Sequence, residues 1–364
     1  MSEPQSETAS EMMPDVMSEP MSAETPAMAA GPAPAGAGAA GRLVAVVVTY
    51  NRLDKLKVTL ERLLDSPAED LAALVVVDNA SDDGTGAWLR DWAAGQPRAD
   101  VLHSEINRGG AGGFALGMAR AMEQHAPDWL VVMDDDARPA PAALAAFQAM
   151  GARGDLAEWD ALAAAVYFPA GGICEMNRPS RNPFWSFGHF LATARKGRDG
   201  FHIPHSAYDA AEPCTIDVTS FVGFFISAAA VRQVGYPDPD LFIYGDDALY
   251  TLGLSAQGGR IGFAPNLRFE HDFSTFTTGD SGQRFRPLWK VYYHHRNLLL
   301  LYRKAAGVFF WPALCLVLPK WILKVRHHHG VRRAYLRLTW LAVRDGLLRK
   351  LGRSHAEILA QARE

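Results

Sequence analysis

The sequence predicts an α/β protein with a mostly parallel, Rossmann-like sheet flanked by helices, and three observations carry that expectation. Runs over 43–48, 74–77 and 129–133 are apolar at every position, the pattern of strands buried on both faces. Stretches with helical spacing lie between them. Each run also stops on polar residues: Thr49-Tyr50-Asn51-Arg52, Asp78-Asn79 and Asp134-Asp135-Asp136. Strands that alternate with helices build a parallel sheet, and such sheets bind ligands beyond the carboxyl ends of their strands. The three polar tips are therefore expected to meet in one crevice.

Residues 1–41 are rich in Ser, Pro, Ala, Gly, Met and Glu without apolar periodicity, so they are expected to form a disordered arm. The arm lacks a basic start before an apolar core, which argues against a signal peptide. After the first strand, a helix is expected over 54–64, with Asp54 as N-cap and Leu56, Leu60, Leu63 and Leu64 on one face. A second helix is expected over 87–92. Then Asn107-Arg108-Gly109-Gly110-Ala111-Gly112-Gly113-Phe114 leads into a helix over 115–123. Clustered glycines let a backbone approach a ligand, and a helix N-terminus favours anions, although a tight turn without ligand explains the glycines equally well. Residues 155–215 read as loop-rich surface. A strand over 219–227, a helix over 228–234, the acidic pair Asp246-Asp247 at a helix start and a short strand ending on His271 complete this part.

The 364 residues, 49% of them hydrophobic, suffice for a full core. Cys174, Cys214 and Cys315 are far apart, which excludes a disulfide framework or zinc knuckle and fits a reducing cytoplasmic interior. The net charge of -4 conceals a separation of signs: residues 1–40 hold six acids and no Lys or Arg, whereas 284–364 hold seventeen Lys and Arg against three acids. An NAD-type domain needs GxGxxG directly after its first strand. Here that turn is Thr49-Tyr50-Asn51-Arg52, so a nucleotide-diphosphate crevice ranks above a dinucleotide one.

Three adjacent carboxylates repel one another by of order a kcal/mol or more per close pair at intermediate dielectric, and a divalent cation would remove that cost. Alternatively the triplet is a solvated turn before Pro139 and Pro141. Asp246 and Asp247 have a structural explanation as first-turn acids, and a lone His271 is more often a satisfied polar residue than a ligand.

Taken in order, these motifs resemble the inverting family 2 glycosyltransferases of the GT-A fold over roughly residues 43–271. The glycine-rich stretch, the triplet followed by Ala137 and the later Tyr292-Tyr293-His294-His295-Arg296-Asn297 are most similar to the bacterial rhamnosyltransferase and galactofuranosyltransferase branch. The resemblance implies that Asp134 and Asp136, helped by His271, hold Mn²⁺ or Mg²⁺ through hard oxygen ligands. It implies that Thr49, Tyr50, Asn51, Arg52 and Asp78 hold the nucleoside of a UDP- or dTDP-linked sugar. Asn107, Gly109 and Gly110 would line the donor, and Asp135 would face its sugar or ribose. Asp247, with Asp246 as second choice, would deprotonate a hydroxyl of a cell-surface glycan or lipid-linked glycan acceptor. The competing readings are a non-catalytic nucleotide-sugar or glycan-binding protein and, third, a nicotinamide oxidoreductase.

The implied organisation is an arm at 1–41, a GT-A domain at 42–280 and a helical basic extension at 281–364. Residues 307–319 are strongly apolar but shorter than the ~20 residues of a spanning helix. With the surrounding cations they predict a peripheral protein on an anionic membrane at its cytoplasmic face, while homo-oligomer contacts are the competing use of the same segment. No nucleic-acid module accompanies the charge.

Overall fold

The computed structural model describes residues 39–272 and 284–363. The arm expected over 1–41 lies outside the described residues except for its last three. Among the described residues the strands are β1 (Leu43–Thr49), β2 (Ala73–Asp78), β3 (Ala99–His103), β4 (Trp129–Asp134), β5 (Ala137–Pro139), β6 (Ala161–Tyr167), β7 (Cys214–Ile216), β8 (Phe224–Ser227) and β9 (Ile261–His271). They form one sheet in the order β3-β2-β1-β4-β8-β6-β9-β5, with β7 also paired to β9. The helices are α1 (Leu53–Leu64), α2 (Thr85–Ala93), α3 (Gly109–Gln124), α4 (Ala143–Arg153), α5 (Phe187–Lys196), α6 (Ala228–Val234), α7 (Asp246–Ala256), α8 (Lys290–Ala306), α9 (Phe310–Leu323), α10 (Arg332–Leu347) and α11 (His355–Ala362).

The first four strands are parallel, and their register explains why the polar tips converge. Thr49 pairs with Asp78 and Val48 with Asp134, so three strands end on one line. Side chains alternate across β1. Leu43, Ala45 and Val47 pack with Leu56, Leu60, Leu89 and Phe147 on one face. Val44, Val46 and Val48 pack with Phe114, Met118, Val231 and Tyr250 on the other.

Several boundaries differ from expectation. Helix α1 begins at Leu53 with Arg52 in the cap position, so Asp54 is a first-turn acid rather than a cap. Helix α3 begins at Gly109, six residues earlier than expected, because its glycines are helical and serve packing. A Cβ added to Gly113 would lie 2.5 Å from Val48 Cγ1, and one on Gly117 2.6 Å from Val46 Cγ1. The absent side chains bring α3 down onto the sheet. Gly113→Ala is expected to cost about 1–3 kcal/mol by overpacking, visible as a lower urea midpoint without a changed slope. Strand β6 is buried in the region read as loop-rich, because Ala161-Leu162-Ala163-Ala164-Ala165 carries little β-propensity. The strand expected over 219–227 is confined to Phe224–Ser227. The short strand expected to end on His271 is β9, 11 residues long.

The C-terminal helices are joined to the sheet domain. Helix α8 packs on α10, where Tyr292 donates to the buried Asp345 at 3.0 Å. Arg296, fully buried, donates to the carbonyls of Asp240 and Leu241 at 2.8 and 2.9 Å. Asn297 donates to those of Leu241, Ile243 and Tyr244 at 3.0, 2.9 and 2.8 Å. These contacts hold a loop in which two bulky residues, Phe242 and Tyr244, adopt φ of 66° and 70°. The segment Lys290–His327 is long and apolar enough to cross a membrane by length and composition alone. A turn at Gly307–Phe309 divides it, however, and α8 buries Val291, Tyr292, Tyr293 and Leu299. Helix α9 instead exposes Trp311, Leu316, Ile322 and Leu323.

Candidate active site

The acidic triplet occupies the end of β4 and the turn into β5. The antiparallel partner of β5 is β9, whose last residue His271 pairs with Ala137, so the histidine arrives beside the acids from 135 positions away. His271 Nε2 lies 3.1 Å from Asp136 Oδ1, and Nδ1 lies 2.8 Å from Asn177 Oδ1. Ligand atoms of Asp134, Asp136 and His271 all lie within 4.8 Å of one another.

Charge in this cluster is unbalanced toward the carboxylates. Asp134 has no hydrogen bond or ion pair among the described residues; burial, then the charge of Asp136, pushes it up to about 7. Arg52 bridges Asp136 at 2.5 Å and Asp135 at 3.3 Å. Burial disfavours the imidazolium of His271, but its hydrogen bond to Asp136 and that charge outweigh burial and raise it to about 9. A repelled, partnerless carboxylate beside another carboxylate and an imidazole is the donor set that suits a hard or borderline divalent cation. Asn177, unnoticed in the sequence, fixes the histidine. As acceptor for Nδ1–H it turns Nε2 toward the acids, and its amide in turn donates to Ser220 Oγ at 2.8 Å.

A cavity of about 500 Å³ opens in front of the cluster. Thr49, Tyr50, Arg52, Asn107, Gly109, Gly110, Asp134 and Asp135 line it. Thr49 Oγ1 donates to Asp135 at 2.8 Å, so Asp135 is oriented from β1. Asn51 and Asp78 are absent from the wall. Asn51 exchanges hydrogen bonds with Asp82 at 2.7 and 2.8 Å, while Asp78 accepts from Ser81 N–H and faces His103 Nδ1 at 3.1 Å, so both serve to shape the strand tips. The wall also includes Asn79, from the second polar tip, and Trp289, Lys290 and His355, which the sequence did not single out as site residues. Asn79 clamps the glycine stretch, accepting from Arg108 N–H at 2.9 Å and donating to the Gly109 carbonyl at 2.9 Å. The helix start is partly occupied by protein, since Ala111 N–H donates to the Phe242 carbonyl at 3.1 Å.

A second cavity, about 600 Å³, is lined by Asp247 together with Asn177, Arg178, Ser220, Tyr244 and Tyr302. Asn177 thus borders this cavity and touches His271. Asp246 and Asp247 open α7 with Gly245 in the cap position. Burial pushes both carboxyls up. Asp246, which also feels Asp247 and Asp134, rises well above the carboxylate range, whereas Asp247 accepts the Ala248 N–H at 2.7 Å and reaches about 6. Asp247, not Asp246, lines the second cavity.

A Rossmann-like sheet whose fourth strand ends on such a cluster, with an acid pair across the site, defines a GT-A glycosyltransferase. Comparisons with known proteins agree. The model of Glycosyl transferase family 2 matches residues 44–200. The galactofuranosyltransferase GlfT1 of Mycobacterium tuberculosis is 32% identical over 231 residues, 62% of this chain and 69% of that protein. GlfT1 of Mycolicibacterium smegmatis is 28% identical over 326 residues, 85% and 95% of the two chains. Among solved structures, GalNAc-T7 with UDP, GalNAc and Mn²⁺ superposes with a TM-score of 0.53 at 14% identity, covering 72% of this chain and 47% of that one. The chain belongs to glycosyltransferase family 2 and is an enzyme of that class.

Proposed function

We propose that the chain transfers a sugar, galactofuranose first and rhamnose second, from a UDP- or dTDP-linked donor to a hydroxyl of a cell-surface glycan or its lipid-linked precursor. The observation that supports this most is the grouping of Asp134, Asp136 and His271, with Asp134 on the wall of one cavity and Asp247 on the wall of another. The naming of the relatives as galactofuranosyltransferases orders the two sugars.

Asp134, Asp136 and His271 would hold Mn²⁺ or Mg²⁺, which when bound supplies Lewis-acid stabilisation of the departing diphosphate. Thr49, Tyr50, Arg52, Asn107, Gly109, Gly110 and Asp135 contain the donor. Asp247 takes the proton of the acceptor hydroxyl as its oxygen bonds to the anomeric carbon and the bond to the diphosphate breaks. With one base and no second carboxylate as nucleophile, the displacement is single and inverts the anomeric centre. Because Asp247 acts deprotonated and its pKa is raised to about 6, kcat/KM is expected to rise with pH through about 6 and then level off. A profile flat from pH 5 to 8 contradicts that role.

The enzyme works on the inner face of a membrane in this reading, with the exposed apolar side chains of α9 seated among anionic headgroups. Trp311→Ser combined with Leu316→Ser is expected to abolish flotation with anionic liposomes while leaving the fold intact; unchanged flotation argues against α9 as the contact. The reading as a whole is tested by incubating protein and Mn²⁺ with a panel of nucleotide sugars and measuring nucleotide release. UDP-galactofuranose is expected to turn over fastest, and release from none of the panel rejects the proposal.

A further inference from the structure

The donor cavity is not closed by the sheet domain alone. The start of α8 supplies Trp289 and Lys290 to its wall, in the same space as Arg52, Asp134 and Asp135. Lys290 is half-buried, lines that cavity and lies 6.0 Å from the centres of the Tyr244 and Trp289 rings. Arg52, a second cation in that wall, bridges Asp135 and Asp136.

We infer that Lys290 is a donor-diphosphate ligand, placing its ammonium on the phosphate that leaves. This rests on the glycosyl-transfer reading above and extends it to a residue beyond the segment matched by the family model. The chemistry requires such a charge. When the bond between the anomeric carbon and the diphosphate oxygen breaks, the electron pair stays on the phosphate, which gains one negative charge as Asp247 gains a proton. Ligation by Asp134 and Asp136 largely neutralises a divalent cation, so a side-chain cation in the same wall stabilises the added charge on departure. Burial, and then the like charge of Arg52, lowers the pKa of Lys290, the environment in which a cation gains most from an incoming anion.

The test compares ligands that differ only in their phosphates. In Mn²⁺, Lys290→Met is expected to weaken UDP binding at least tenfold by calorimetry and to leave uridine binding unchanged, with Lys290→Arg retaining most of the UDP affinity. Turnover in Lys290→Met should fall with acceptor KM unaltered. An independent measurement needs no variant: UDP with Mn²⁺ should protect Lys290 of the wild-type protein from an amine-acylating reagent, mapped by mass spectrometry, whereas uridine should not. UDP affinity within twofold of wild type in Lys290→Met, or equal labelling with and without UDP, overturns the assignment. Wild-type protein that binds neither UDP nor dTDP overturns the glycosyl-transfer reading, and the lysine's role with it; binding by wild type and variant alike removes the lysine alone.

Discussion

Asp247→Asn is expected to lower kcat by about 10²–10⁴-fold, the range of a positioned general base, while the affinity for donor nucleotide stays at the wild-type level. The prediction is sharp because the neighbouring acid provides its own control. Burial, then the charges of Asp247 and Asp134, push the Asp246 carboxyl well above the carboxylate range. An amide is nearly isosteric with a protonated carboxyl, so Asp246→Asn is expected to retain most of the activity. If the two variants exchange these phenotypes, the proton acceptor is Asp246. Single-turnover measurements separate a slow chemical step from slow product release in either case.

The second large effect concerns the cluster at the end of β4. EDTA-treated enzyme is expected to lose activity and to regain it on titration with Mn²⁺ or Mg²⁺. Asp136→Ala should not recover at any tolerable concentration. The alanine also strips a partner from Arg52 and from His271, both of which touch Asp136. Stability must therefore be followed alongside activity. Asp136→Asn keeps the volume and isolates the charge: Mn²⁺ should raise the melting temperature of the wild type, because a ligand that binds only the folded state stabilises it, and should not raise that of the variant. Full activity in EDTA would falsify the assignment of the cluster to a metal.

Much of this site was legible in the sequence because it sits at strand ends. Buried parallel strands are uniform apolar runs, so where they stop is plain, and the register of β1 against β2 and β4 turns the stops into neighbours. What was hidden depends on tertiary contact. Asn177 lies 94 positions from His271 and joins it only through the fold. Trp289, Lys290 and His355 enter the donor wall from helices whose composition suggested a separate basic extension. The glycines expected in a loop before a helix lie within α3: Gly109 and Gly110 line the cavity, whereas Gly113 and Gly117 lie against Val48 and Val46, and nothing in their spacing distinguishes a helix face from a loop. Asn51 and Asp78, which the resemblance implied as nucleoside contacts, hydrogen-bond to neighbouring residues at the strand tips.

The left-handed Phe242 and Tyr244 have a consequence for engineering. Backbone conformations of this kind cost of order 1–3 kcal/mol each and persist only where their surroundings dictate them. Here the dictating groups are Arg296 and Asn297 on α8, more than fifty positions downstream. A chimera that borrows residues 236–256 from one relative and 290–306 from another would pair a bent segment with the wrong clasp. Donor or acceptor preference is therefore transplanted successfully only when both segments travel together as one cassette.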